Sequence, residues 1–268
     1  FFFGSTGFFG NKLAIKTDKI AFSLMCLPPN DFPDIYSDEF PEGFLIETSK
    51  LSRLIDKTLF SVSTEETRYY LNGIYIHSVV DDGKEVFRAV ATDGHRLSRL
   101  SEDLPKNAES LSGVIIPRKT VIELKKILEN RDTQVRVQIA KNKIKFVVDN
   151  VIITSKLLDG AFPDYERVIP NNNTKELVIP TKEFIDAVDR ISTLSSDRTR
   201  AIKFKLKSKS LKISAENPDQ GSAEEDLSVH YEGDDLDIGF NSKYLLDIAR
   251  QVSGAHIKFL MSDNLSPT

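Results

Sequence analysis

Residues 114–128 read "VIIPRKTVIELKKIL", and the same plan returns as "FLIETSKLSRLIDKTL" at 44–59, "LVIPTKEFIDAVDRIS" at 177–192 and "IGFNSKYLLDIARQV" at 238–252. Each copy is a short apolar strand, a turn or cap, a lysine and then a helix. The lysines, Lys50, Lys119, Lys182 and Lys243, are spaced by 69, 63 and 61 residues. Self-similarity at a fixed period marks a repeated supersecondary unit. A longer echo encloses the short one: "NKLAIKTDKIAFSLMCLPPNDFPDI" at 11–35 is matched by "NKIKFVVDNVIITSKLLDGAFPDYERV" at 142–168. Asn11-Lys12, Asp18 and Phe32-Pro33-Asp34 thus recur 130 to 131 residues later. That interval is the size of a whole domain, so each domain contains two similar halves.

Alternating apolar and polar residues fill the space between the helices, in "RVQIAKNKIKFVV", "AIKFKLKSKSLKISA" and "EEDLSVHYEGDDLDIGF", with Asn, Gly and Asp at the breaks. This is the period of half-buried strands. The pattern predicts an α+β chain of antiparallel sheets with sparse helices, each packed on one sheet face. By the period, residues 1–42 hold the tail of an incomplete first domain, 43–171 a complete middle domain, and 172–268 a third that stops before its final strands. The repeat then implies a longer subunit of roughly 370 to 390 residues. Within each helix the fifth position after the lysine (Ile55, Leu124, Ala187, Ile248) and the ninth (Leu59, Leu128, Ile191, Val252) form the expected buried stripe. The lysine and the seventh position, Lys57, Lys126, Asp189 or Arg250, stack on the opposite side. Read one helix at a time this is a solvated face; repeated in four equivalent helices it becomes a common basic surface.

Composition narrows the function classes. The 268 residues are 40% apolar and 28% charged with net charge −4, an ordinary globular balance rather than that of a protein gripping nucleic acid through its whole surface. Any contact with DNA must come from a segregated basic face. Purely apolar runs stay far below the roughly 18 to 20 residues of a bilayer span, and no signal peptide is read, which points to a cytoplasmic protein without a membrane partner. One cysteine, Cys26, excludes an intramolecular disulfide framework and a Cys-rich metal site, and is expected to be buried and inert. No metal or cofactor is indicated. The opening "FFFGSTGFFG" has no strand or helix period and reads as a scar, a mis-joined fragment or an interaction tail. Its "GSTG" lacks the lysine and flanking strand of a phosphate loop.

Five stretches, "RYYLNG" (68–73), "ATDGHRL" (91–97), "IIPRK" (115–119), "SKLLDGAFPDYERVIP" (155–170) and "GFNSKYLLD" (239–247), resemble the bacterial DNA polymerase III beta subunit, the sliding clamp family. The resemblance runs from about residue 11 to the end, and "ATDGHRL" followed by "FPDY" at this distance is specific. It implies antiparallel sheets outside and paired helices lining an inner surface, with three such domains per subunit and two subunits head to tail in a ring around duplex DNA. The function implied is a non-catalytic tether for processive replication. A ring is held by topology, which suits a mildly acidic chain, because each neutralised phosphate would add affinity and oppose sliding.

The resemblance further implies a partner-peptide pocket lined by Leu71, Thr92, Gly94, His95, Arg96, Leu97, Pro163, Arg167, Val168, Asn241 and Tyr244. Its ligands would be short apolar-ended peptides of the DNA polymerase III alpha subunit, the clamp loader, other polymerases and repair proteins. Arg68, Tyr69 and Tyr70, otherwise an exposed loop or strand start, would reach DNA. Arg118 and Lys119 would contact phosphates from the start of a helix, and Lys50, Lys182 and Lys243 would join them through the internal repeat. Lacking a complete first domain and the family's C-terminal pocket wall, the chain as written is expected to be monomeric or aggregation-prone, weak for peptide and unable to stay on circular DNA.

An enzymatic alternative is a hydrolase using Asp93 and His95, which as i and i+2 on a strand would share a face. No third group and no nucleophile elbow accompany them. The competing reading is a tight strand-end turn through Gly94, with Asp93 accepting backbone N–H groups.

Overall fold

Each half-repeat gives its leading strand to the sheet of the other half. The computed structural model describes residues 5–9, 11–31, 39–109, 111–196 and 199–268. Phe1 to Gly4 and Gly10 of the opening and the Phe32-Pro33-Asp34 echo lie outside the described residues. The chain divides into two compact units, residues 1–41 and 42–268.

In the first unit β1 (Ser5–Phe9), β2 (Lys12–Lys16) and β3 (Ala21–Met25) form an antiparallel meander. The opening segment is therefore in part a strand, with Ser5 opposite Lys16 and Phe9 opposite Lys12. Its pairing is a backbone ladder, which needs no apolar alternation of its own, and this is why the side-chain pattern gave no sign of it. Cys26 follows β3 half-exposed rather than buried, its backbone N–H donating to the Asn11 carbonyl at 2.8 Å.

The second unit runs β4 (Phe44–Glu47), α1 (Thr48–Asp56), β5 (Gly73–Asp81), β6 (Lys84–Thr92), β7 (Leu97–Asp103), β8 (Val114–Pro117), α2 (Arg118–Leu128), β9 (Gln134–Ile139), β10 (Lys143–Val148) and β11 (Val151–Lys156). It continues with β12 (Lys175–Pro180), α3 (Thr181–Ser192), β13 (Ala201–Lys207), β14 (Ser210–Asn217), β15 (Gly221–Ser228), β16 (His230–Tyr231), β17 (Leu236–Asn241), α4 (Ser242–Ala249) and β18 (His256–Met261). β4, which leads α1, completes the sheet β11-β10-β9-β4; β8, which leads α2, completes β7-β6-β5-β8. The later pair repeats the exchange: β17 joins β13 in β15-β14-β13-β17, and β12 joins β18 in β16-β12-β18. All these pairings are antiparallel. Local turn chemistry supports them. Asp82 and Gly83 both take positive φ, 47° and 79°, as a two-residue hairpin between right-twisted strands requires.

The helices pack α1 beside α2 and α3 beside α4 over two cores. Leu54, Leu124, Phe87 and Phe146 are among the buried side chains of one core; Phe184, Phe204, Ile213 and Leu177 are among those of the other. The expected stripe holds for Ile55, Leu124, Leu128, Ala187 and Ile191. Leu59 and Val252 lie beyond their helix ends, half-buried against the same cores. Ile248 breaks it, being 39% exposed, and the buried positions of α4 are instead Leu245, Leu246 and Ala249. The face has rotated because α4 has a second neighbour. Tyr244, Asp247 and Ile248 share one side of the helix, and the first two meet the turn after β6.

Polar links also join the helices in sequence. Lys125 Nζ lies 2.6 Å from Asp56 Oδ1 between α2 and α1, Lys57 Nζ donates to the Gln251 carbonyl beyond α4, and Arg250 lies 3.3 Å from Asp189 of α3. The order across this face is therefore α2, α1, α4, α3.

Candidate functional site

The segment Asp93–Arg96 is a turn between β6 and β7, not a strand. Asp93 Oδ1 accepts from the backbone N–H groups of His95 and Arg96, both at 3.0 Å, and Thr92 Oγ1 accepts from Gly94 N at 3.0 Å. Gly94 has φ +88°, and a Cβ there would stand 2.4 Å from Arg68 Nη1. Glycine is favoured here by the left-handed backbone; the Arg68 guanidinium lying over it could move aside for a side chain.

Arg96 is the hub. Its side chain is almost buried, its guanidinium 4.4 Å over the Tyr244 ring and 5.3 Å from the Phe60 ring. Nε donates to Asp93 at 3.1 Å, Nη1 to Asp247 at 2.8 Å and Nη2 to the Phe60 carbonyl at 2.6 Å. The planar fork saturates three acceptors from three segments, a geometry lysine could not reproduce. His95 stacks on Tyr244 at 6.3 Å. Tyr244 is held in turn by Asn241, which caps α4 by accepting from Lys243 N and Tyr244 N. Burial pushes the Asp247 carboxyl up, but hydrogen bonds from Lys243 and Arg96 outweigh it and hold the pKa below the ordinary value. An acid–base dyad is not what this turn builds: the Asp93 carboxylate is engaged by two amides and a guanidinium, and the His95 ring lies on an aromatic face.

The remaining pocket residues fall into two groups. Leu71 is only 4% exposed, while Leu97 is half-buried and follows the turn directly. Pro163, Arg167 and Val168 are exposed on the connector between β11 and β12, which lies across the outer face of the β5-β6-β7 sheet. Phe162 stacks on Tyr75 at 4.8 Å, Tyr165 meets His77 edge-on, and Glu166 bridges Arg88 at 2.7 Å and Arg99 at 3.3 Å. Arg99 and Leu97 share that face, two residues apart, so the connector leads towards the turn.

The residues expected on DNA are less alike than their repeat suggests. Arg68, Tyr69 and Tyr70 lie on a 3₁₀ segment, Glu66–Leu71, rather than on a loop or strand start. Arg68 folds back onto Glu65 at 2.6 Å; Tyr69 is exposed and meets Tyr70 edge-on at 5.9 Å. Arg118 and Lys119 open α2 exposed, beside Ser63, Asn72 and Glu123 in an open groove of about 400 Å³. Lys182 is exposed too, and among the described residues none of these three cations has an ion-pair partner. Lys50 is shared between Glu47 and Asp103 at 3.8 and 4.0 Å, and Lys243 pairs with Asp247 at 2.8 Å. A second groove, about 480 Å³, is lined by Arg53, Asp56, Lys57, Lys125 and Gln251 where α1 approaches the end of α4. Neither groove includes the turn.

Sequence reading missed Phe60, Asp247 and Arg88. Asp247 was within reach, since it follows Tyr244 by three residues on one helical face. Arg88 was signalled by its position in the apolar strand "VFRAVAT", where a charge needs partners.

One pH effect follows from His77, whose Nε2 is 3.0 Å from Tyr165 Oη. Burial pushes its pKa below 6.5, only partly opposed by the Ser78 carbonyl. Between that lowered value and the unfolded one the unfolded chain binds more protons, so stability falls as pH drops through this window. Acidification from about pH 7 to 5.5 is expected to lower the melting temperature, and His77→Gln to flatten the slope. An unchanged slope in the variant would assign the effect to another group.

Repeated antiparallel sheets that exchange leading strands, with a row of packed helices over them, define an α+β repeat protein. Two family models match: DNA polymerase III beta subunit, central domain, over residues 45–164, and the C-terminal domain of the same subunit over residues 166–268. The beta sliding clamp of Caulobacter vibrioides is 42% identical over 257 residues, 96% of this chain and 69% of the relative. That of Escherichia coli K12 is 38% identical over the same length and shares of each chain. A Bartonella birtlesii sliding clamp solved with griselimycin superposes with TM-score 0.92 at 46% identity, over 98% of this chain and 70% of that one. A Caulobacter crescentus clamp, with polyethylene glycol in a putative beta-motif tethering region, gives 0.93 at 41% over the same shares. The chain belongs to the DNA polymerase III beta subunit family, the beta sliding clamps, which are non-catalytic processivity factors of DNA replication.

Proposed function

We propose that this clamp slides in the cytoplasm on duplex DNA held against its helix row, and captures partner peptides on the surface between the Asp93–Arg96 turn and α4. The observation that carries the peptide reading is Arg96, fixed between Phe60 and Tyr244 by three acceptors, which presents an aromatic and aliphatic surface with polar anchors beside it. Such a surface suits a short apolar-ended peptide with a few hydrogen-bonding groups. Leu97, Tyr244 and the exposed Val168 supply apolar area; Asn241, His95 and Arg167 supply polar contacts. For DNA, the exposed cations Arg118, Lys119 and Lys182, without ion-pair partners among the described residues, carry the reading, with Lys50, Lys243, Arg68, Tyr69 and Tyr70 in support. Weak, sequence-independent phosphate contact is what a sliding ring of two head-to-tail subunits needs.

The test uses the full-length protein on primed circular DNA with its cognate polymerase. Tyr244→Ala is expected to remain retained on the circle yet fail to stimulate synthesis. Full stimulation by that variant would refute this surface as the polymerase-binding site.

A further inference from the structure

Buried beneath the connector that carries Pro163, Arg167 and Val168 is a cation the turn does not use. Arg88, on β6, is 2% exposed. Its Nε donates to Ser101 Oγ at 2.9 Å, Nη1 to Glu166 at 2.7 Å and to Tyr165 Oη at 3.4 Å, and Nη2 to Asp81. Tyr165 Oη is also within hydrogen-bond distance of His77. From Leu157 to Pro170 Tyr165 is the one buried residue; Phe162 is half-buried in its stack on Tyr75, and the wall residues themselves are exposed. Arg167 and Val168 follow Tyr165 and Glu166 directly, so the Arg88 contacts bear on where they stand, with the Phe162 stack holding the chain beside Pro163.

We propose that Arg88 is a positioning residue for peptide capture: it fixes the register of the connector on the sheet and so aligns Pro163, Arg167 and Val168 with Leu97 and Tyr244, an inference that rests on the peptide-site reading above. A buried ion pair is a poor source of stability, since well-packed hydrophobes in place of both partners are often no worse. What an apolar side chain cannot supply is direction. The guanidinium fork holds one carboxylate and one hydroxyl of adjacent connector residues, so sliding the connector by one residue would break both contacts. Glu166 and Asp81 are half-exposed and can rehydrate if Arg88 is removed, which keeps an Arg88 variant foldable.

The experiment measures binding of a fluorescein-labelled peptide copied from the clamp-binding segment of the cognate replicative polymerase to full-length protein. Arg88→Met, Arg88→Lys, Tyr165→Phe and Tyr244→Ala are compared, with melting temperature followed in parallel. Tyr165→Phe is expected to weaken the peptide about three- to tenfold, the scale of one lost buried hydrogen bond, at nearly unchanged melting temperature, and Arg88→Met to weaken it at least as much, by more than its own fall in melting temperature accounts for. Arg88→Lys, which retains the charge, is expected to recover part of the loss. Wild-type affinity in Tyr165→Phe and Arg88→Met, with Tyr244→Ala abolishing binding, would overturn the positioning role alone. Affinity and melting temperature falling together through the series would reduce Arg88 to a stability element and overturn it as well. Unchanged binding in Tyr244→Ala would remove the peptide site, and this inference with it.

Discussion

Leu97→Asp is expected to fold normally and to bind a clamp-binding peptide about a hundredfold more weakly. The side chain is half-buried beside the turn, so in the free protein a carboxylate there stays hydrated. Once a peptide covers it, the same carboxylate is stripped of water without a partner, at a cost of several kcal/mol. Leu71→Asp, which a sequence motif would treat as the equivalent change, has a different fate. Leu71 is 4% exposed, so its carboxylate would be buried in the free protein itself, at a cost of about 3–5 kcal/mol, a large part of a domain's stability. Fluorescence anisotropy with the peptide and a thermal melt separate the two. Tight binding by a folded Leu97→Asp protein would remove that residue from the site.

Reversing charge at Arg118 and Lys119 together should shorten retention on circular DNA and lower the salt dependence of binding, while leaving peptide affinity unchanged. Both side chains are exposed at the start of α2 without an ion-pair partner among the described residues. Each is therefore available to a phosphate at no cost of breaking a protein contact. Losing two phosphate contacts should reduce the slope of log K against log salt by about 1.8. Lys243→Glu is a weaker test, because Lys243 already pairs with Asp247. An unchanged slope in the double variant would take α2 off the DNA-facing surface.

The contrast between Leu71 and Leu97 illustrates how far the sequence could be read. Helices were legible wherever one apolar face met one sheet, as at Ile55, Leu124 and Ala187. The reading slipped at Ile248, since periodicity reports that a face is buried and not that a second neighbour has turned the helix. The Asp93–Arg96 turn was legible from local chemistry, as Asp and Gly at those positions satisfy their own backbone. The partners of Arg96 were not, for Phe60 and Asp247 lie 36 and 151 residues away and contribute a carbonyl, a ring face and one carboxylate. Arg88 was hidden for a related reason: a charge in an apolar strand says that partners exist and gives no direction to them. The recurrence of the four lysines at equivalent positions likewise concealed that two of them are already paired.

The exchange of leading strands between half-repeats also governs how the chain must come together in time. Phe44 pairs with Val137, 93 residues further along, and Gly73 with Pro117. A nascent chain therefore carries β4 as an unpaired edge until β9 has left the ribosome, and neither sheet reaches four strands from one half alone. Closure must be late, cooperative and slow compared with a chain of local hairpins. The reward for that delay is that the two halves are clasped by backbone ladders on both sides, so one half cannot peel away without tearing a strand from the other.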